Sequence, residues 1–314
     1  MAGSVYNYMD SAHLIKMNHY SNLSDLLAAY GFPPPENPLI AVLCDAVRSA
    51  NFGNRITEHT SDFYIIAFKK MKSGTIKYGK TKYDHACGSM FFINPRQITA
   101  LDDIEPKVEG YMMYFHEDFL NGHPLHHEIK KYSFFEYETN EALHLSPKEE
   151  KIIGELFQKI DTEYCNNQDE YSRDIMLSHI DSLLKYARRF YKRQFINRTI
   201  LSGKTVSRFN ELLDNYFEKG FPEEKGLPTV NYMASQLNLS PRYLSDLLKQ
   251  ETGKTAIDHI HQFLIAEAKN LLTGGDQSVS EIAYALGFEH PPYFSRLFKK
   301  VVGVSPNEYR NSLN

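Results

Sequence analysis

The feature that most constrains this 314-residue chain is a duplication in its C-terminal third. Val230, Met233, Ala234, Leu237 and Leu239 match Val279, Ile282, Ala283, Leu286 and Phe288 at an offset of 49. Tyr243, Leu244, Ser245, Leu247, Leu248, Lys249 and Gly253 match Tyr293, Phe294, Ser295, Leu297, Phe298, Lys299 and Gly303 at an offset of 50. The extra residue falls between the two runs, at Leu239-Ser240-Pro241 against Phe288-Glu289-His290-Pro291-Pro292. An insertion confined to a turn leaves the helices on either side in phase. The spacing therefore predicts two copies of one helix-turn-helix unit.

Each copy has its own physical logic. Ala234 and Ala283 stand where two helices cross, and a larger side chain there would force them apart. Asn238 and Gly287 occupy the turn, and both residue types accept a positive φ. Second helices then open near Ser240-Pro241 and His290-Pro291-Pro292, with proline acceptable in a first turn. Leu244, Leu247 and Leu248, or Phe294, Leu297 and Phe298, form the inward face. The outward face is polar. One long helix, about Ile257 to Leu272, joins the copies.

The second copy reads Ser278-Val279-Ser280-Glu281-Ile282-Ala283-Tyr284-Ala285-Leu286-Gly287-Phe288, then Tyr293-Phe294-Ser295-Arg296-Leu297-Phe298-Lys299-Lys300, then Gly303-Val304-Ser305-Pro306-Asn307-Glu308-Tyr309-Arg310. This string resembles the AraC/XylS family of transcription regulators. The resemblance is close over about residues 204–314 and weaker toward the N-terminus. It implies two units reading successive major grooves of double-stranded DNA, a homodimer on paired half-sites and contact with RNA polymerase. It also implies a cupin-like N-terminal sensor for a small-molecule effector. One position departs from the pattern: Leu264 stands four residues before Ala268, where the family often has arginine.

On that reading the DNA-facing residues of the first unit are Arg242, Ser245, Asp246 and Lys249. Those of the second are Pro292, Ser295, Arg296, Lys299 and Lys300. Arginine suits guanine O6 and N7, serine either base edge or phosphate, and aspartate can accept from cytosine N4. Asp246 can instead orient Arg242, one helical turn earlier. The three lysines come later in their helices and suit phosphates.

The remainder is mixed. Residues 38–115 read as short strands, including Phe63–Phe68, Ser89–Ile93 and Gly110–Phe115, between turn signals at Lys72-Ser73-Gly74, Cys87-Gly88 and Asn94-Pro95. That spacing suggests an antiparallel barrel or sandwich. Phe63, Tyr64, Phe68, Tyr78 and Phe92 are its candidate ligand-lining residues. Beyond Asn140 the pattern turns helical. Ser146-Pro147-Lys148-Glu149 opens a helix to about Cys165. A second helix from about Ser172 to Phe195 carries Ile175, Ile180, Leu183, Leu184, Ala187 and Tyr191, a stripe suited to dimerisation or to packing on its own domain. A third covers about Thr205 to Glu218. The expectation is an α+β chain with three parts: a β-barrel sensor at 1–140, a helical connector at 141–203, and an all-α DNA-binding domain of two helix-turn-helix units at 204–314.

Composition supports a globular protein, with 42% hydrophobic and 24% charged residues. The net charge of −4 does not advertise a nucleic-acid binder, so that reading rests on pattern. Cys44, Cys87 and Cys165 are sparse and unpaired in spacing, which points to a reducing cytoplasm. No secretory signal or membrane span is visible. A metal-dependent cupin enzyme would need an HxH pair with further ligands. The N-terminal half shows no such pair, but isolated His85, isolated His116 and the loop-like run His123-Pro124-Leu125-His126-His127-Glu128. No enzyme and no cofactor are expected; a cupin-type metalloenzyme tethered to a DNA-binding domain, or a ligand-independent regulator, is the alternative.

Overall fold

The computed structural model describes residues 18–44, 59–70, 75–78, 81–84, 88–99, 109–138, 141–166, 169–202, 205–274 and 277–312. The side chains of 70, 75–78, 81–84, 109, 197–202 and 274 lie outside that description. The chain divides into two compact units, Met1–Gln194 and Phe195–Asn314.

In the first unit, β1 (Asn18–Tyr20) pairs in parallel with β3 (His59–Ser61), and β5 (Thr75–Tyr78) with β6 (Thr81–Asp84) forms a separate hairpin. The main sheet is antiparallel, in the order β2 (Ile40–Cys44), β8 (Glu109–His116), β4 (Phe63–Lys70), β7 (Ser89–Ile93) and β9 (Leu143–His144). Both faces are apolar, which is why these strands read as near-continuous hydrophobic runs. One face carries Ala41, Phe63, Ile65, Ala67, Ile93, Met112 and Tyr114, packed against Leu23, Leu26 and Leu27 of α1 (Leu23–Ala29). The other carries Tyr64, Phe68 and Phe92. Tyr64 stacks on Phe115, Phe92 meets Phe134 and Tyr191, and Phe68 stacks on Tyr111 and Phe157.

The expected barrel does not close. A barrel requires the first and last strands to pair, yet β2 and β9 remain the two edges of an open sheet among the described residues. A side chain covers the β9 edge instead. Gln194 Oε1 accepts the His144 N–H at 2.8 Å, and its Nε2 donates to the Ala142 carbonyl at 3.1 Å. The amide thus satisfies backbone groups that a further strand would otherwise have taken.

The helices follow their sequence signals. α2 (Leu125–Glu128) is a single turn. α3 (Pro147–Cys165) opens on a box in which the Ser146 N–H donates to Glu149 Oε2 at 2.8 Å. α4 (Ser172–Ser202) runs beyond the anticipated Phe195. Met176, Leu177, Ile180, Leu183, Leu184, Ala187, Phe190 and Tyr191 are all buried in a structure of one chain, so this stripe packs within the chain. Ile175, placed on the stripe from its spacing, is exposed. No helix among the described residues is long and apolar enough to cross a membrane.

The ligand-lining candidates separate. Phe63 lies on the α1 side of the sheet, while Tyr64, Phe68 and Phe92 lie on the other and fill it with ring contacts. The Tyr78 side chain and His85 fall outside the described residues, as do the Lys72-Ser73-Gly74 turn and Cys87. His116 Nδ1 accepts the Asp118 N–H at 3.1 Å, and His123 Nδ1 accepts the Leu125 N–H at 3.2 Å. Both histidines therefore cap turns. Among the described residues, no group of three His, Cys, Asp or Glu side chains is placed to hold a metal ion.

Candidate nucleic-acid interface

The second unit is all helix: α5 (Thr205–Glu218), α6 (Phe221–Lys225), α7 (Val230–Leu237), α8 (Pro241–Thr252), α9 (Ala256–Gly274), α10 (Val279–Ala285), α11 (Pro291–Val302) and α12 (Pro306–Asn311). The two copies are the pairs α7–α8 and α10–α11, joined through α9. A single apolar core holds both. It contains Met233, Ala234, Leu244 and Leu248 from one copy, Ile282, Ala283, Phe294 and Phe298 from the other, and Ile260, Leu264 and Ala268 from α9. Leu264 is 1% exposed, so the position where the family often has arginine is a core residue here.

Local chemistry sets the ends of each helix. Thr229 and Ser240 side-chain oxygens accept the N–H groups of Tyr232 and Tyr243, at 3.1 and 3.2 Å. Ser278 and Glu281 form a reciprocal box at the start of α10. Asn238 turns the first copy with φ +55°, and Gly287 turns the second with φ +88°. Both second helices end on a left-handed glycine, Gly253 and Gly303. The duplication is thus geometric as well as sequential.

Its polar faces are presented outward. On α8, Tyr243, Leu244, Leu247 and Leu248 are buried, Arg242 and Lys249 are exposed, and Ser245 and Asp246 are half-buried. Arg242 Nε lies 3.7 Å from Asp246 Oδ2, one helical turn on. On α11, Phe294, Leu297 and Phe298 are buried, Pro292, Arg296, Lys299 and Lys300 are exposed, and Ser295 is half-buried. Burial holds the imidazoles of His259 and His261 on α9 below their ordinary value. Lys254 adds to this for His259, and Lys300 for His261.

A helix-turn-helix domain profile matches residues 233–312. The chain is 38% identical over 104 residues to the transcriptional activator RhaS of Enterobacter sp. (strain 638), spanning 33% of this chain and 36% of that protein. The C-terminal part of the chain is an AraC-type helix-turn-helix DNA-binding domain. Within this AraC-type domain, the chain is also 42% identical over 78 residues to the MmsAB operon regulatory protein of Pseudomonas aeruginosa, a quarter of each chain. It is 33% identical to the solved C-terminal domain of the two-component response regulator yesN from Fusobacterium nucleatum, covering 32% of this chain and 96% of that one, with a TM-score of 0.29. Across the curated relatives, the chain spans between 25% and 58% of their length.

Sequence reasoning missed one exposed residue of the AraC-type domain. Tyr293 matches Tyr243 in the duplication and was placed with the repeat, not with the polar face. Tyr243 is fully buried beside Phe195, ring centroids 5.1 Å apart, whereas Tyr293 is 46% exposed and leans on Phe288 at 5.8 Å. Tyr293, Arg296 and Lys300 lie at i, i+3 and i+7, on one stripe of α11. No local signal separates the two tyrosines, because each stands two residues into a helix that opens on a proline, Pro241 or Pro291.

Proposed function

We propose that the protein is a sequence-specific transcription regulator that reads double-stranded DNA with α8 and α11. The observation that carries this reading is the pair of duplicated hairpins built on one shared core, each with a basic, polar helix face directed to solvent. Arg242, Ser245 and Asp246, and Pro292, Ser295 and Arg296, stand in the first turns of their helices and face the base edges. Base contacts come from that end of a recognition helix. Lys249, Lys299 and Lys300 hold phosphates and set the register. The two helices occupy successive major grooves, about 34 Å apart on one DNA face.

The N-terminal unit regulates this activity by binding a small-molecule effector, and the protein acts on paired half-sites as a homodimer in contact with RNA polymerase. The buried stripe of α4 leaves the outer surface of α3 and α4 for self-association, where Tyr171 and Ile175 stay exposed. An effector switches such a protein only by binding two conformations unequally.

Selection of duplexes from a randomised pool by the full chain tests the reading. A shared motif, bound far more tightly than random DNA and weakening steeply with salt, is the expected result. Recovery of no motif, with equal affinity for all duplexes, overturns it.

A further inference from the structure

The helix α4 carries a charge pattern that its own fold does not use. Every exposed residue of α4 between Asp181 and Arg193 is basic: Lys185, Arg188, Arg189 and Lys192. The buried stripe of Leu183, Leu184, Ala187, Phe190 and Tyr191 takes the opposite side of the helix. The four cations recur at i, i+3, i+4 and i+7, so they form one row and repel one another. From Ser182 to Asn210 the sequence contains no acidic residue, in a chain whose net charge is −4.

Partners within the chain do not account for the row. Arg193, next in sequence, is taken up by the fold: its Nε donates to Glu149 Oε1 at 2.8 Å and its Nη2 to the His144 carbonyl at 2.6 Å. Asp181 accepts from Lys185 Nζ at 2.7 Å, and Glu128 from Lys131 Nζ at 2.6 Å. Arg188, Arg189 and Lys192 have no ion-pair partner among the described residues. The helix dipole does not explain them either. Its effect fades within the last turn, and α4 continues to Ser202 with no basic residue in that turn.

We infer that this face of α4 binds the phosphate backbone of duplex DNA, adding sequence-independent contacts to those of α8 and α11. The row from Lys185 to Lys192 spans about 10 Å along the helix axis, a length over which one DNA strand presents about three phosphates. Arg188 and Arg189 suit phosphate oxygens, because a guanidinium fork donates two parallel N–H bonds. An anionic membrane fits less well. A helix lying on lipid needs exposed apolar side chains beside its basic ones, and this stretch exposes none. The choice of DNA among polyanions rests on the DNA reading given above, since the same chain presents α8 and α11.

The test titrates the full chain with its selected duplex and with random duplexes of equal length over a salt series. Arg188→Gln/Arg189→Gln/Lys192→Gln is expected to weaken both alike, about 10- to 100-fold at about 0.1 M salt, and to reduce the salt slope by about two to three units. Its selected motif is expected to match that of wild type. All three side chains are exposed, so the urea midpoint should not move. Arg188→Lys/Arg189→Lys keeps the charge and is expected to retain most of the affinity. Lys148→Gln/Lys151→Gln removes charge from α3 and should change affinity by less than about twofold. A triple variant with wild-type affinity and salt slope overturns the inference, and so does an α3 variant that loses as much. Duplex binding that stays intact while the triple variant releases an RNA hairpin or phosphatidylserine vesicles gives the face to those partners and also overturns it. Failure of the sequence-specific reading is seen separately, as a wild-type chain that selects no motif yet loses random duplexes on the triple substitution.

Discussion

A Cβ placed on Gly287 would lie 2.7 Å from the carbonyl carbon of Gly226 and 2.8 Å from its oxygen. The turn of the second copy is therefore pressed against the loop that follows α6, and Tyr216 Oη holds that loop by donating to the Gly226 carbonyl at 3.1 Å. The first copy makes its turn with Asn238, which is exposed. This explains why one copy uses asparagine and the other glycine at matching positions. The contact fixes the second hairpin against the α5–α6 buttress, and with it the direction of α11.

Gly287→Ala is expected to destabilise the protein by about 2–4 kcal/mol, combining the left-handed backbone penalty with the clash. Gly253→Ala has a φ of +78° but nothing within 4 Å, and should lose only about 1 kcal/mol. Urea denaturation of both variants checks the difference. Equal losses would show that the Gly226 contact carries no weight.

Tyr243 and Tyr293 should part company under mutation. Tyr243→Ala empties a fully buried site and should lose about 3–5 kcal/mol of stability. Tyr293→Ala should stay within about 0.5 kcal/mol of wild type in stability while weakening binding to the selected duplex. Denaturation and duplex titration on the same preparations measure both effects.

Arg296→Ala is expected to lose about 1–3 kcal/mol on the cognate duplex and to relax one base preference. Lys299→Ala should weaken all duplexes and reduce the salt slope by about one unit. Titrations of cognate and random duplexes over a salt series distinguish these roles. An Arg296→Ala loss that is the same on random DNA contradicts its assignment to a base.

Acidification should destabilise the protein through His259 and His261. Both have folded-state values below the ordinary one, so the unfolded chain binds more protons in the window just below about pH 6.5. Stability is thus greatest above that window and falls as pH drops through it. Asp258, Glu281 and Glu308 are held low by hydrogen bonds from Thr255, Ser278 and Ser305, and add a separate loss below about pH 4.5. Melting curves of wild type and His259→Gln/His261→Gln protein between pH 7.5 and pH 5 test the first step. A wild-type slope no steeper than the variant's would contradict it.

The C-terminal half of this architecture is written locally, which is why it can be read from sequence. The α5 span is observed as expected, because Phe209, Leu213 and Tyr216 recur at helical spacing and are all buried. Ser and Pro mark the starts of α8 and α12, and Gly253 and Gly303 mark the ends of α8 and α11. The sheet is different, since its order depends on pairings between distant segments. β8 lies between β2 and β4, and no local signal reveals that β2 and β9 are the edge strands of that sheet among the described residues. Short strands at turn spacing are consistent with a barrel and with an open sheet alike. Tyr293 was hidden for a similar reason: what covers Tyr243 is Phe195, far away in sequence.

The central claim is that α8 and α11 enter successive major grooves on one face of a duplex. Hydroxyl-radical footprinting of the full chain on its selected duplex measures this directly. Two protected tracts per bound chain, separated by about one helical turn of 10–10.5 base pairs, are the expected result. Protection from one hairpin only, or two tracts on opposite faces of the duplex, would contradict it.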